Sequence, residues 1–237
     1  MIVGRPGLLN KQTDMNMQTA IGRGLLGGRL VAAGVLGLVS IGLDLGLLWW
    51  NHYPESVEGR WAIGFVVMAT YVWLADGDLP SLGFCPPEGG WLRWMRLAVW
   101  IGVLAGASVG AGVGCWLALG WKLPVGSVAP GEIGSAFFRM CLAAPLLEEG
   151  LYRFALCIPL VRWLGLWRTV AVSGVVFGVL HAFYGNVSPE NALGGFFLAW
   201  AFLRSGSIVV PVALHAAGNL LVLAGQVGVC YLGSRVV

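Results

Sequence analysis

Charge is what this sequence most conspicuously lacks. Of 237 residues, 14 are Lys or Arg and 11 are Asp or Glu, so 11% of the chain is charged, against about a quarter in a soluble domain. Basic clusters are missing too. The net charge of +3 is spread thinly along the chain and offers no footprint for a nucleic acid. Apolar residues do not alternate with polar ones, and neither a repeat nor a low-complexity linker is visible. Cysteine is sparse: Cys85, Cys115, Cys141, Cys157 and Cys230 form no C-x-x-C pair, and all but Cys85 lie in apolar runs. They read as small buried hydrophobes rather than disulfides or metal ligands. What is present is a 58% share of apolar and aromatic residues, 37 glycines and a mean hydropathy of +0.81. A soluble single-core protein and a disordered chain are both ruled out. The expected fold class is all-α, a polytopic transmembrane helix bundle.

A helix needs about 20 apolar residues to cross a bilayer. Runs at Leu30–Trp50, Trp61–Ala75, Trp91–Trp121, Ile133–Leu164, Trp167–Phe183, Ala192–Leu203 and Ile208–Leu232 predict about seven crossings, between six and eight. The second and sixth runs are short, and Gly225 or Gly228 is an expected bend in the last. Asp76–Gly90, with its Cys85-Pro86-Pro87 break, reads as a turn-rich connection. Residues 1–29 contain Arg5, Lys11, Arg23 and Arg29 but no continuous apolar core, and read as a polar leader rather than a cleaved signal. Residues 30–237 then form a single integral-membrane domain. Trp49, Trp50, Trp61, Trp91, Trp94, Trp116, Trp121, Trp163 and Trp167 fall near span ends, where an amphipathic ring suits the headgroup level. The leader arginines, Arg93 with Arg96, and Arg162 with Arg168 alternate with loops holding Lys122 alone or Glu55 and Glu58. By the positive-inside rule the N-terminus lies in the cytoplasm, and the expected location is a bacterial cytoplasmic membrane.

Against this background, ionisable residues inside apolar runs stand out. Glu148, Glu149 and Arg153 interrupt Phe137–Leu164, where each charge costs about 2.5–3.5 kcal/mol near the bilayer centre. Glu149 and Arg153 are four apart, share a helix face and can pair. Glu148 is rotated about 100° away, a carboxylate left to look elsewhere. Two of the three histidines also lie in apolar spans: His181 follows Phe177 by one turn, and His215 precedes Asn219 by one turn. Each piece alone has an ordinary reading as packing, interhelical glue or a structural ion pair. Together, a base-capable carboxylate, two imidazoles and an amide supply a water activator and donors for an oxyanion. Asp44 has no Arg or His within one turn and reads as an end-of-span or inter-helix hydrogen bonder. Arg139 reads as snorkelling to the interface. Pro189, Glu190 and Asn191 read as a helix start, and Tyr184 and Asn186 as residues near the site mouth.

Glu148-Glu149-Gly150-Leu151-Tyr152-Arg153, Phe177-x-x-x-His181 and His215-x-x-x-Asn219 resemble, in content, order and spacing, the three signature motifs of the CAAX-protease and bacteriocin-processing (CPBP, or ABI) family of glutamic-type intramembrane endopeptidases. The resemblance covers about residues 130–225, which places the active site in the C-terminal half. It implies that Glu148 is the general base, working with His181 on the attacking water. It further implies that His215 and Asn219 hold the oxyanion, and that Glu149 and Arg153 orient the first motif. The implied partners are a membrane-associated protein or peptide substrate and the lipid bilayer.

No cofactor is expected. Zinc held by Glu148, His181 and His215 is the competing mechanism, but there is no H-E-x-x-H and a metal would consume the base. Two other classes remain open. A proton-coupled transporter would use the same groups as a relay, and predicts interrupted helices in both halves. A non-catalytic immunity or scaffold protein would keep its function in Glu148→Gln.

Overall fold

A computed structural model describes residues 21–50, 57–120, 126–183, 185 and 189–233. The expectations for Tyr184 and Asn186 fall outside the described residues. The chain is all-α, with no strand among the described residues. Helix α1 spans Gly28–Trp50, α2 Val57–Leu74 and α3 Trp91–Ala118. Helices α4 (Ile133–Phe137), α5 (Ala144–Tyr152) and α6 (Ile158–Leu164) are followed by α7 (Leu166–Phe183), α8 (Pro189–Ser205) and α9 (Val209–Gly233). Among the described residues four stretches are long and apolar enough to cross a membrane: Gly28–Leu47, Trp91–Gly112, Leu166–Phe183 and Val209–Tyr231. Gly59–Leu74 and Leu193–Ser205 are shorter apolar helices. Helix α9 is continuous through Gly225 and Gly228. Helix α8 begins at Pro189, just ahead of the Glu190 and Asn191 expected to open it.

Ile133–Leu164, expected as a long helical stretch, is helical but changes its winding twice. Phe138–Ala143 and Arg153–Cys157 are π-helical, and they flank the α-helical segment that carries the two glutamates. Each π segment leads into a helix whose second residue is proline, Pro145 in α5 and Pro159 in α6. A proline ring collides with the carbonyl one turn back and has no N–H to donate, and a wider turn just before it relieves both problems.

The described residues fall into two compact units, Met1–Glu88 with Leu146–Val212 and Gly89–Pro145 with Ala213–Val237. In the first, close helix contacts depend on glycine. A Cβ at Gly37 of α1 would run into the backbone carbonyl of Ala155, and one at Gly174 of α7 into the Phe196 ring of α8. Gly195 of α8 accommodates Phe177 of α7 in the same way, so these two helices interlock through reciprocal small and large residues. The Tyr71 hydroxyl of α2 donates to the Ala33 carbonyl of α1 at 2.8 Å. The Asp76–Gly90 connection is fastened by Ile208 N–H to Gly83 O at 2.9 Å and Glu88 N–H to Ser205 O at 2.7 Å. Side chains such as Trp49, Trp50, Phe65 and Trp73 remain exposed, as lipid-facing side chains are. In the second unit Ala136, Cys141 and Leu223 form a small core.

No disulfide joins the described cysteines. Cys141 and Cys157 are buried as expected, whereas Cys115 is exposed on α3. An apolar run in a membrane helix faces lipid as readily as it faces protein, so apolarity alone did not bury it.

Candidate active site

In the first unit, the pairing expected from four-residue spacing is present. Arg153 Nε donates to Glu149 Oε2 at 2.5 Å and Nη2 to Oε1 at 3.1 Å, a two-point fork with both side chains fully buried. Its remaining Nη1 donates to Ser173 Oγ on α7 at 2.9 Å. The guanidinium also lies 5.7 Å from the Phe177 ring centroid. One arginine therefore ties the helix that bears Glu148 to the helix that bears His181. Ser173 was not singled out in the sequence; its signal was a hydroxyl in the middle of an apolar span.

Glu148 is turned away from that pair, towards His181. Its Oε2 stands 3.5 Å from His181 Nε2, with the side chains 10% and 9% exposed. That oxygen is buried and has no hydrogen-bond partner. On the other side of the imidazole, Nδ1 is 2.9 Å from the Phe177 carbonyl. A carbonyl only accepts, so Nδ1 carries the hydrogen and, in the neutral ring, Nε2 presents its lone pair to Glu148. Two acceptors thus face each other, a pairing that a water bridges when it donates one hydrogen to each. The Phe177 ring stacks on the imidazole, with centroids 4.1 Å apart and an interplanar angle of 29°. Tyr152 meets Phe177 edge-on at 5.5 Å.

Asp44 is the largest surprise of the first unit. Its buried carboxylate receives Arg60 Nε at 2.7 Å, Arg60 Nη2 at 3.2 Å and the Tyr152 hydroxyl at 3.3 Å. The inter-helix hydrogen bonder expected there is present. Its arginine partner was not anticipated, because Arg60 lies 16 positions away on the next helix and periodicity within one span cannot reveal it.

His215 and Asn219 belong to the second unit, one turn apart on α9, both partly exposed. Asn219 Nδ2 donates to the Met140 carbonyl at 2.6 Å. Met140 lies in the first π segment. The amide is thereby oriented while its second N–H stays available. Arg139 is exposed, in keeping with a snorkelling role.

A catalytic zinc takes three protein ligands and leaves one position open. Glu148 and His181 supply two donors, and among the described residues no group of three or more His, Cys, Asp or Glu side chains is placed to hold a metal ion.

Fold and site together define a helical integral membrane protein with a carboxylate and an imidazole facing each other inside its helices. Residues 131–221 match the family described as type II CAAX prenyl endopeptidase Rce1-like, a stretch that contains all three motifs whose resemblance to the CAAX-protease and bacteriocin-processing family was noted in the sequence. A curated relative, an apolipoprotein N-acyltransferase of Allorhizobium ampelinum, is 27% identical over 176 residues, 68% of this chain and 28% of that protein. The chain thus spans little more than a quarter of that relative's length. No solved structure matches.

Proposed function

We propose that this chain is a glutamic-type intramembrane endopeptidase that hydrolyses a peptide bond in a membrane-associated protein or peptide, with prenylated CAAX proteins as the first substrate class to try. The observation that carries the reading is the buried, unpartnered Glu148 Oε2 at 3.5 Å from an acceptor-presenting His181 Nε2. In this reaction a water held between them attacks the scissile carbonyl carbon and gives its proton to Glu148. The oxygen of the tetrahedral intermediate takes hydrogen bonds from His215 and Asn219. Glu148 then returns the proton to the leaving nitrogen as the C–N bond breaks, so no acyl-enzyme forms. The family match supports the peptidase class, and the absence of a paired serine or cysteine nucleophile from its motifs agrees with direct attack by water. The distribution of basic residues supports an orientation with the N-terminus in the cytoplasm.

The test is purified protein in liposomes with a fluorogenic farnesylated CAAX peptide. Glu148→Gln keeps the shape and removes the base, so cleavage should fall about 10²–10⁴-fold with normal yield of folded protein. His215→Ala and Asn219→Ala should each lower kcat about 10²–10³-fold with little change in KM. Near wild-type cleavage by Glu148→Gln would end this assignment.

A further inference from the structure

We propose that Asp44, clamped by Arg60, positions the imidazole of His181 through Tyr152 and Phe177. Asp44 sits in an apolar span with its side chain fully buried, and Arg60 is only 12% exposed. An ion pair whose sole task was to join α1 to α2 would be complete with the two-point fork at 2.7 and 3.2 Å. This carboxylate takes a third donor, the Tyr152 hydroxyl from a helix 108 positions further on. Only a group with two oxygens and several lone pairs can hold a fork and a hydroxyl at once.

Tyr152 is the junction. It lies one turn after Glu148 on α5, so the two share a helix face, and fixing the hydroxyl fixes the rotation of that helix. Its ring meets Phe177 edge-on at 5.5 Å and 78°. Phe177 in turn holds the imidazole twice, by stacking at 4.1 Å and by accepting Nδ1–H at 2.9 Å. Packed aromatic contacts of this kind transmit small displacements because a dense interior has few voids to absorb them. Asp44 and Arg60 lie outside residues 131–221, so the helices that precede the motifs contribute to the geometry of the catalytic pair.

The consequence for rate rests on the hydrolase reading above; the consequence for the imidazole does not. The chain has three histidines, so ¹⁵N-histidine NMR in nanodiscs reads each ring directly. Tyr152→Phe keeps the ring and loses only the hydroxyl. It should shift the His181 ring nitrogens, leave His215 unmoved, and lower kcat about tenfold at constant KM. Asp44→Leu combined with Arg60→Met replaces the ion pair with apolar side chains, an exchange that buried pairs often tolerate without loss of stability. It should reproduce both effects, and adding Tyr152→Phe to it should change nothing more. A His181 signal that stays in place in both variants would overturn the proposal, as would a displaced signal with wild-type kcat. Failure of Glu148→Gln to impair cleavage would instead strike the hydrolase reading and leave the NMR result to stand or fall alone.

Discussion

Arg153 shows how much one residue can hold inside a membrane. Its guanidinium satisfies both oxygens of Glu149 and the hydroxyl of Ser173, which a lysine ammonium cannot do with the same planar geometry. Arg153→Ala leaves a buried carboxylate unpaired, and breaking such a pair costs about 3–5 kcal/mol. The yield of folded protein and the cleavage rate should therefore fall together. Arg153→Lys should recover only part of either, and Ser173→Ala, which removes one charged hydrogen bond worth about 1.5–3 kcal/mol, should fall between wild type and Arg153→Ala. Thermal unfolding in detergent alongside the peptide assay checks the order. Normal expression and cleavage by both Arg153 variants would show that the fork is not needed. The Glu149–Arg153 pairing was legible in the sequence because both partners lie on one helix. Ser173 and the Arg60–Asp44–Tyr152 cluster were not, because their partners come from different helices and nothing in local spacing says which helices meet.

At the scale of elements, apolar length located α1, α2, α3, α7, α8 and α9 to within a few residues, since a membrane span is a long signal with sharp polar ends. The two π segments escaped that reading. An i→i+5 turn has no hydrophobic period of its own, and its trace here is only the placement of Pro145 and Pro159 just beyond it. Glycines were likewise ambiguous, because composition does not separate those that admit a neighbour from those that face lipid. Two residues of α1 make the distinction testable. A Cβ at Gly37 meets the Ala155 carbonyl, while at Gly42 it meets nothing within 4 Å. Gly37→Ala should destabilise by about 1–3 kcal/mol, the range for overpacking a tight contact. Gly42→Ala should be neutral or slightly stabilising, since alanine is the better helix former. Equal melting temperatures for the two variants in the same detergent would show that α1 does not lie against Ala155 in the folded protein.

For the molecule as a whole, the decisive chemical question is whether the carboxylate acts as a base or as a ligand. The residues proposed for chemistry are divided between the two units, Glu148 and His181 in one, His215 and Asn219 in the other. Zinc would lower the pKa of a bound water and dispense with a carboxylate base, but it would need Glu148 and His181 on the metal together with a third ligand. In that arrangement Glu148 could no longer take the water's proton. The Glu148–His181 pair alone offers two donors, and the Asn219 amide, oriented on the Met140 carbonyl, is a hydrogen-bond donor suited to an oxyanion rather than a zinc ligand. Activity in liposomes should therefore survive exhaustive treatment with EDTA and with phenanthroline. Zinc measured by mass spectrometry in the active protein should stay well below one equivalent, and added zinc should not raise the melting temperature, because a ligand stabilises only the state that binds it. Stoichiometric zinc whose removal abolishes cleavage, and whose return restores both cleavage and thermal stability, would make Glu148 a metal ligand and reassign proton transfer to another group.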